Sequence, residues 1–130
     1  MTYIENKPVD AKAIADLRQT LGWNRMEDCY KNERMNSYFH IGAFDGDQLV
    51  GFVDTVSNSV TDAYIQDLMV HPDYQGNGIG TELMSRAIEY LKKNHIFMIS
   101  VLFDEKLKLF YKRFGFNDML CGQLQTFDVD

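Results

Sequence analysis

Apolar residues recur first at helical spacing and then at alternate positions. Ala13, Ile14 and Leu17 share one face of a helix predicted from Asp10, a suitable N-cap, to about Leu21, with Gly22 ending it. Ahead of it Thr2 to Asn6 alternates as an edge strand closed off by Pro8, and behind it Met26 to Asn32 reads as a short second helix. The period then drops to two. Ser37 to Phe44 and Gln48 to Val56 read as strands joined by the hairpin signal Asp45-Gly46-Asp47. Gly51, inside the second run, marks a bulge or a close approach of backbone.

Asn58-Ser59 turns the chain into a strand from Ala63 to His71, and a long helix follows from Asn77 to Lys93, with Ile79, Leu83, Ala87, Ile88 and Leu91 on its apolar stripe. Ile96 to Phe103 is apolar almost throughout, as a strand covered on both faces would be. Asp104 is placed to cap a helix whose Leu107, Phe110 and Phe114 share a stripe and which Gly115 ends; Gln123 to Val129 reads as a last strand. Hairpins come first and a strand–helix–strand crossover sits in the middle, the pattern of an α/β domain.

The chain has 130 residues, 45% of them apolar, which suits one domain over residues 1–130 with a real core. No apolar stretch is long enough to cross a bilayer, and the first residues lack a secretion-signal pattern, so a cytosolic location is expected by default. Cys29 and Cys121 have no metal-type spacing and read as two reduced thiols, so no metal is expected. A net charge of −6 argues against a nucleic-acid partner and is compatible with a cationic small molecule or basic peptide.

Two irregularities between Ala63 and Gly80 carry the chemistry. Ile65, Leu68 and Val70 look buried together, yet strict alternation cannot place Ile65 and Leu68 on one face. An extra residue near Gln66-Asp67, a β-bulge, would resolve the arithmetic and splay this strand from its neighbour; spacing alone equally fits an Asp67 that merely faces a polar edge. Beyond the strand, Gln75-Gly76-Asn77-Gly78-Ile79-Gly80 has glycines at alternate positions before an amphipathic helix. Glycine lets backbone approach a ligand, and the first helical turn offers unpaired N–H groups and a positive dipole end, a site suited to phosphate or pyrophosphate. No Lys precedes Thr81, so this is not a P-loop, and Thr81 stands where a dinucleotide fingerprint has its third glycine.

The run Leu68-Met69-Val70-His71-Pro72-Asp73-Tyr74-Gln75-Gly76-Asn77-Gly78-Ile79-Gly80 resembles the central motif of the GNAT superfamily of N-acetyltransferases. Phe110-Tyr111-Lys112-Arg113-Phe114-Gly115-Phe116 resembles its second motif, at the usual distance downstream. The resemblance implies a mixed, mostly antiparallel central sheet flanked by helices, with the bulged strand at about 63–71 splayed from its neighbour. It implies acetyl-CoA as cofactor: backbone of Leu68, Met69 and Val70 pairing with the pantetheine arm and thioester, and Gln75, Gly76, Asn77, Gly78, Ile79, Gly80 and Thr81 holding the pyrophosphate. Tyr111 falls where many relatives protonate the departing thiolate. Asn77 replaces a frequent Lys or Arg, which shifts the load onto backbone N–H groups. Asp104 replaces a frequent cofactor-contacting Asn, and Tyr64 stands where some relatives carry a catalytic carboxylate.

The reaction implied is acetyl transfer to an amine of a small molecule or peptide by direct attack; a non-catalytic acyl-CoA sensor is the alternative. Asp67 is the carboxylate nearest the expected reaction point and the first candidate base, with His40, His71 and Asp62 as rivals. Tyr111 by spacing alone also fits a core position. Trp23, in Gly22-Trp23 after the first helix, is a candidate for the acceptor pocket, while Met26, Met35, Met69, Met84 and Met98 read as packing. Dimers are common among relatives, so a homodimer stays open.

Overall fold

The computed structural model describes residues 1–36 and 38–130. Its elements follow in the order β1 (Thr2–Glu5), α1 (Ala11–Thr20), α2 (Glu27–Tyr30), β2 (Phe39–Asp45), β3 (Gln48–Ser57), β4 (Asp62–Val70), α3 (Ile79–Lys93), β5 (Met98–Val101) and α4 (Lys108–Lys112). The strands make one five-stranded sheet in sequence order, antiparallel from β1 to β4 and parallel between β4 and β5. A parallel pair needs a crossover, and α3 supplies it. The β2–β3 hairpin closes through Gly46, whose φ of +60° suits the tight turn. Ser37, where the second strand was expected to begin, lies outside the described residues.

Each face of the sheet has its own core. On one, Phe39, Ile41, Val50, Val53 and Ile65 meet the α3 stripe of Ile79, Leu83, Ala87 and Leu91, with Tyr111 of α4. On the other, Leu49, Phe52 and Met69 meet Ile14 and Leu17 of α1 and Tyr30 of α2. Gly51 serves both readings given to it. The β2–β3 register shifts beside it, and a Cβ there would stand 3.0 Å from Ile79 Cγ2 and 3.1 Å from Leu83 Cδ1.

Three expectations fail at the C-terminal side. Ile96 to Phe103 shortens to Met98–Val101, and it is an edge strand: Ile99 and Val101 pack toward α3, while Met98 and Phe97 are exposed. Gln123 to Val129 forms no strand. Leu124 falls on one parity and Phe127 and Val129 on the other, so no single apolar face exists to pair against the sheet. The segment instead reaches back to the loop after α1, where Asn24 Nδ2 donates to the Val129 carbonyl at 2.8 Å and the Met26 amide to that of Asp130 at 2.6 Å. Asp104 precedes a short 3-10 turn and makes no side-chain cap, and Leu107 is exposed rather than part of a buried stripe.

Candidate functional site

The bulge lies where the spacing put it. Phe52 pairs with Met69 and Asp54 with Gln66, so two steps on β3 oppose three on β4. Asp67 takes the extra position with a φ of +54°, in the left-handed region that Asp tolerates better than its apolar neighbours. Ile65, Leu68 and Val70 consequently share the α3 face, and Met69 is buried on the opposite one. Pairing between β4 and β5 ends at Ile65 with Val101. Beyond that point β4 has no strand on its outer side among the described residues, and its backbone over Leu68, Met69 and Val70 borders an opening between the two strands.

The glycine turn continues from β4 into α3. Gly76 and Gly78 both have φ of +83°, and a Cβ on either would meet nothing within 4 Å, so the open space beside them is accessible to a ligand. Gly78 is the N-cap and makes no side-chain cap, which leaves the amides of Ile79, Gly80 and Thr81 without the intrahelical partners that later residues have. The turn's own side chains reach back to the chain ahead of it: Gln75 Nε2 donates to the Val70 carbonyl at 3.0 Å and Asn77 Nδ2 to that of Tyr74 at 3.1 Å. A Cβ on Gly80 would stand 3.6 Å from Phe110 Cζ, so α4 packs beside the start of α3. From α4, exposed Arg113 donates through Nη2 to Thr81 Oγ1 at 3.0 Å, its guanidinium over the Phe110 ring at 5.1 Å. Arg113 thus places a cation beside the helix start, where position 77 has none. The second motif contained it, yet the sequence reading passed over it.

On the α1–α2 face the bulge meets a network of side chains. Arg18 is buried although charged, because its partners surround it: Nε donates to the Asn24 carbonyl at 2.6 Å, Nη2 to Asn24 Oδ1 at 2.7 Å and Nη1 to the Tyr30 hydroxyl at 3.3 Å. The Tyr30 hydroxyl donates to Asp67 Oδ2 at 3.2 Å, and Arg18 Nη1 lies 3.6 Å from the same oxygen. Burial, with the Asp67 charge beside it, pushes the Tyr30 phenol well up, so it stays protonated. Trp23 flanks the network with its ring 5.3 Å from the Arg18 guanidinium. Below Asp67, Asp54 is fully buried. Desolvation raises its carboxyl to about 7, the Asp67 charge adds to the rise, and the amide of Thr55 and the side chain of Gln66 pull the other way.

The rival bases are placed elsewhere or differently. His71 caps the turn after β4, its Nδ1 accepting from the Asp73 amide at 3.1 Å, and Asp62 is exposed at the start of β4. His40 is buried on β2 with Nε2 against the Lys7 carbonyl at 2.6 Å. Tyr111 is buried, stacked on Phe103 at 4.6 Å between centroids; burial first, and then Tyr64, raises its phenol. Arg18 and Asp54 were missed. Each carried a signal: Arg18 falls four residues after Ile14 on the apolar stripe of α1, and Asp54 interrupts an apolar strand at the parity of Phe52. Among the described residues no group of His, Cys, Asp or Glu is arranged for a metal, and no helix is long and apolar enough to cross a membrane.

Known proteins share this fold. The chain is 32% identical over 114 residues to an uncharacterized ycf52-like N-acetyltransferase of Prochlorococcus marinus, covering 84% of this chain and 63% of that protein, so it spans under two thirds of that relative's length. Its fold superposes with a TM-score of 0.84 and 19% identity on a Staphylococcus aureus protein of unknown function described as a probable acetyltransferase, covering 97% of this chain and 100% of the other. A predicted acetyltransferase of Clostridium acetobutylicum, solved with acetyl-CoA, matches with a TM-score of 0.75 at 18% identity over 95% of each chain. Residues 8–116 match the model of the Acetyltransferase (GNAT) family, and the chain belongs to that family.

Proposed function

We propose that the chain moves an acetyl group from acetyl-CoA to a primary amine of a small molecule or peptide by direct attack. The observation that carries this is the continuity of the opened β4 edge with an uncapped helix start, both on one stretch of backbone from Leu68 to Thr81. The fit to a pyrophosphate is local: open space over Gly76 and Gly78, three helix-start amides, and Arg113 beside Thr81. Acetyl-CoA supplies an activated acyl carbonyl and a thiolate leaving group.

The residues around the opening have separable tasks. In this reading the backbone N–H of Leu68, on the side of β4 away from β3, stabilises the developing oxyanion, where one donor is worth about 3 kcal/mol. Met69 pairs with Phe52 and turns its N–H toward β3. Tyr111, held protonated by burial, gives its proton to the departing sulfur. An alkyl ammonium acceptor, with a pKa near about 10, must lose a proton first, and Asp67 is the partly exposed carboxylate that meets it. Both described contacts of Asp67 fall on Oδ2, which leaves Oδ1 for the acceptor. Trp23 borders this face and shapes the apolar part of the pocket.

Two measurements test the reading. Acetyl-CoA raises the melting temperature, and thiol release with a panel of amines identifies the acceptor class; no shift and no binding heat at millimolar acetyl-CoA removes the proposal, and binding without release leaves a sensor. In Gly78→Val a β-branched residue is forced to left-handed φ in the path of the phosphates, so affinity falls at least roughly 10-fold, about 1.4 kcal/mol. Unchanged affinity in the folded variant places the phosphates elsewhere.

A further inference from the structure

The segment 117–130 meets the loop after α1 at a residue that faces two ways. The segment forms neither helix nor strand, and its Met119, Leu120, Leu124 and Phe127 are exposed, so burial of these side chains does not hold it. Asp118 pairs with Lys108 at its root at 2.9 Å, and Gln125 Nε2 bonds within it to Asp128 Oδ1 at 2.8 Å. Among the described residues, two hydrogen bonds tie its far end to the rest of the chain. Asn24 Nδ2 donates to the Val129 carbonyl, and the Met26 amide donates to that of Asp130. Met26 presents its amide from a φ of +54°, a left-handed conformation uncommon outside glycine, Asn and Asp.

The other end of the Asn24 amide faces Arg18. Oδ1 accepts from Nη2 at 2.7 Å, and the Asn24 carbonyl accepts from Nε at 2.6 Å. A side-chain amide has one accepting end and one donating end. While Nδ2 keeps the Val129 carbonyl, Oδ1 stays turned to the guanidinium. The guanidinium is a rigid planar fork, so fixing Nε and Nη2 on Asn24 also fixes Nη1. Nη1 is thereby held toward the Tyr30 hydroxyl at 3.3 Å and Asp67 Oδ2 at 3.6 Å, and Tyr30 donates to that same oxygen at 3.2 Å. Arg18 and Tyr30 are buried, where losing a partner is costly. A line of contacts, none longer than 3.6 Å, runs from Val129 through Asn24, Arg18 and Tyr30 to the extra residue of the bulge.

We propose that Asn24 is a positioning residue for Asp67 and that the segment 117–130 is a strap acting through it. Docked on Asn24, the strap fixes the Asp67 carboxylate at the bulge; undocked, it lets that carboxylate go. The effect on turnover rests on the amine-acetylating reading, whereas the coupling of strap to bulge does not. Release is a local opening, because it breaks two hydrogen bonds and exposes no apolar core. It also frees Met26 from the contact its left-handed backbone serves. None of these contacts reaches the glycine turn, so release lowers turnover and spares cofactor affinity.

Two substitutions separate the ends of Asn24. Asn24→Asp keeps an oxygen for Arg18 and turns another against the Val129 carbonyl; Asn24→Leu, uncharged and close in size, removes both ends. On the full chain without cofactor, NMR hydrogen exchange at the Met26 amide follows the strap, and the Asp67 carboxyl carbon follows the bulge. Both variants should speed Met26 exchange roughly 5-fold or more, leave the core amide of Leu83 unaltered, and move the Asp67 resonance. Exchange at the parent's rate, an equal rise at Leu83, or an unmoved Asp67 resonance overturns the strap. Coupling is reciprocal, so Tyr30→Phe, which leaves Asn24 in place, should also speed Met26 exchange by about 2-fold; no change there overturns the line of contacts. In thiol release from acetyl-CoA with 2-phenylethylamine, Asn24→Leu should lower kcat roughly 10- to 100-fold while the KM for acetyl-CoA stays within about 2-fold. A loss carried by that KM, or an unchanged kcat, overturns the positioning role. No turnover of this amine by the parent overturns the transferase reading for such amines, and the exchange result then decides the strap by itself.

Discussion

The glycine turn and the face beneath the bulge begin within ten residues of each other on one strand, and they are built from opposite materials. At the turn the chain offers backbone: left-handed glycines, an uncapped helix start, and side chains of Gln75 and Asn77 that bond back to carbonyls ahead of the turn. Beneath the bulge it offers side chains, buried and charged, drawn from α1, α2, β2, β3 and β4. A backbone site is cheap to keep and recognises a group that never changes. A site of buried charges is costly to assemble and is where a chain can specify its own acceptor.

If that contrast holds, the largest damage to stability should come from the side-chain region. Arg18→Met removes the guanidinium that Asn24, Tyr30 and Asp67 share, and we expect a loss of about 3–5 kcal/mol in urea unfolding. A loss below about 1 kcal/mol would mean that the network is not a folding element.

Asp54 should make the same region sensitive to pH. Its native carboxyl is raised to about 7, so between the ordinary value and about 7 the folded chain keeps a proton that the unfolded chain has lost. Stability from this group is therefore full at low pH and drains away as pH rises through about 7. Comparing parent with Asp54→Asn cancels the other carboxyls, and the variant should gain roughly 3 kcal/mol on the parent between about pH 5 and pH 8. A constant difference across that range would contradict the raised carboxyl.

Toward the cofactor, effects should move from folding to rate and then to affinity. Tyr111→Phe keeps the ring stacked on Phe103, so turnover per folded molecule should fall about 10²-fold, with little change in melting temperature. A fall of melting temperature with turnover intact would make Tyr111 a core residue. Smallest is Arg113→Ala, an exposed cation, expected to weaken acetyl-CoA roughly 5-fold and to shift unfolding by less than about 0.5 kcal/mol. An undiminished affinity would show that the backbone alone holds the phosphates.

The same contrast explains what could be read in advance. A backbone site is written in consecutive residues, and Gly76, Gly78 and the parity break at Asp67 were all visible as spacing. The side-chain network at the bulge is written across Arg18, Tyr30, Asp54 and Asp67, which only the pairing of β3 with β4 and the packing of α1 and α2 against them bring together. Spacing along the chain does not encode such meetings. The element order was legible because each helix and strand keeps its own period. The ends failed where the period was mixed, as in Gln123 to Val129, or where an apolar run was taken to imply cover that an edge strand does not receive.

Gly51 has a consequence for tolerance. It pairs with Val70 of β4 and lies against Ile79 of α3, and it sets the thickness of the layer between them, since α3 rests on it at 3.0–3.1 Å from where a methyl would stand. The helix that presents its first amides and the sheet whose fourth strand carries the bulge are two jaws of one caliper, and this glycine is the stop between them. A single added carbon would widen the jaws by tenths of an ångström and part the bulged strand from the helix start without replacing a residue of either.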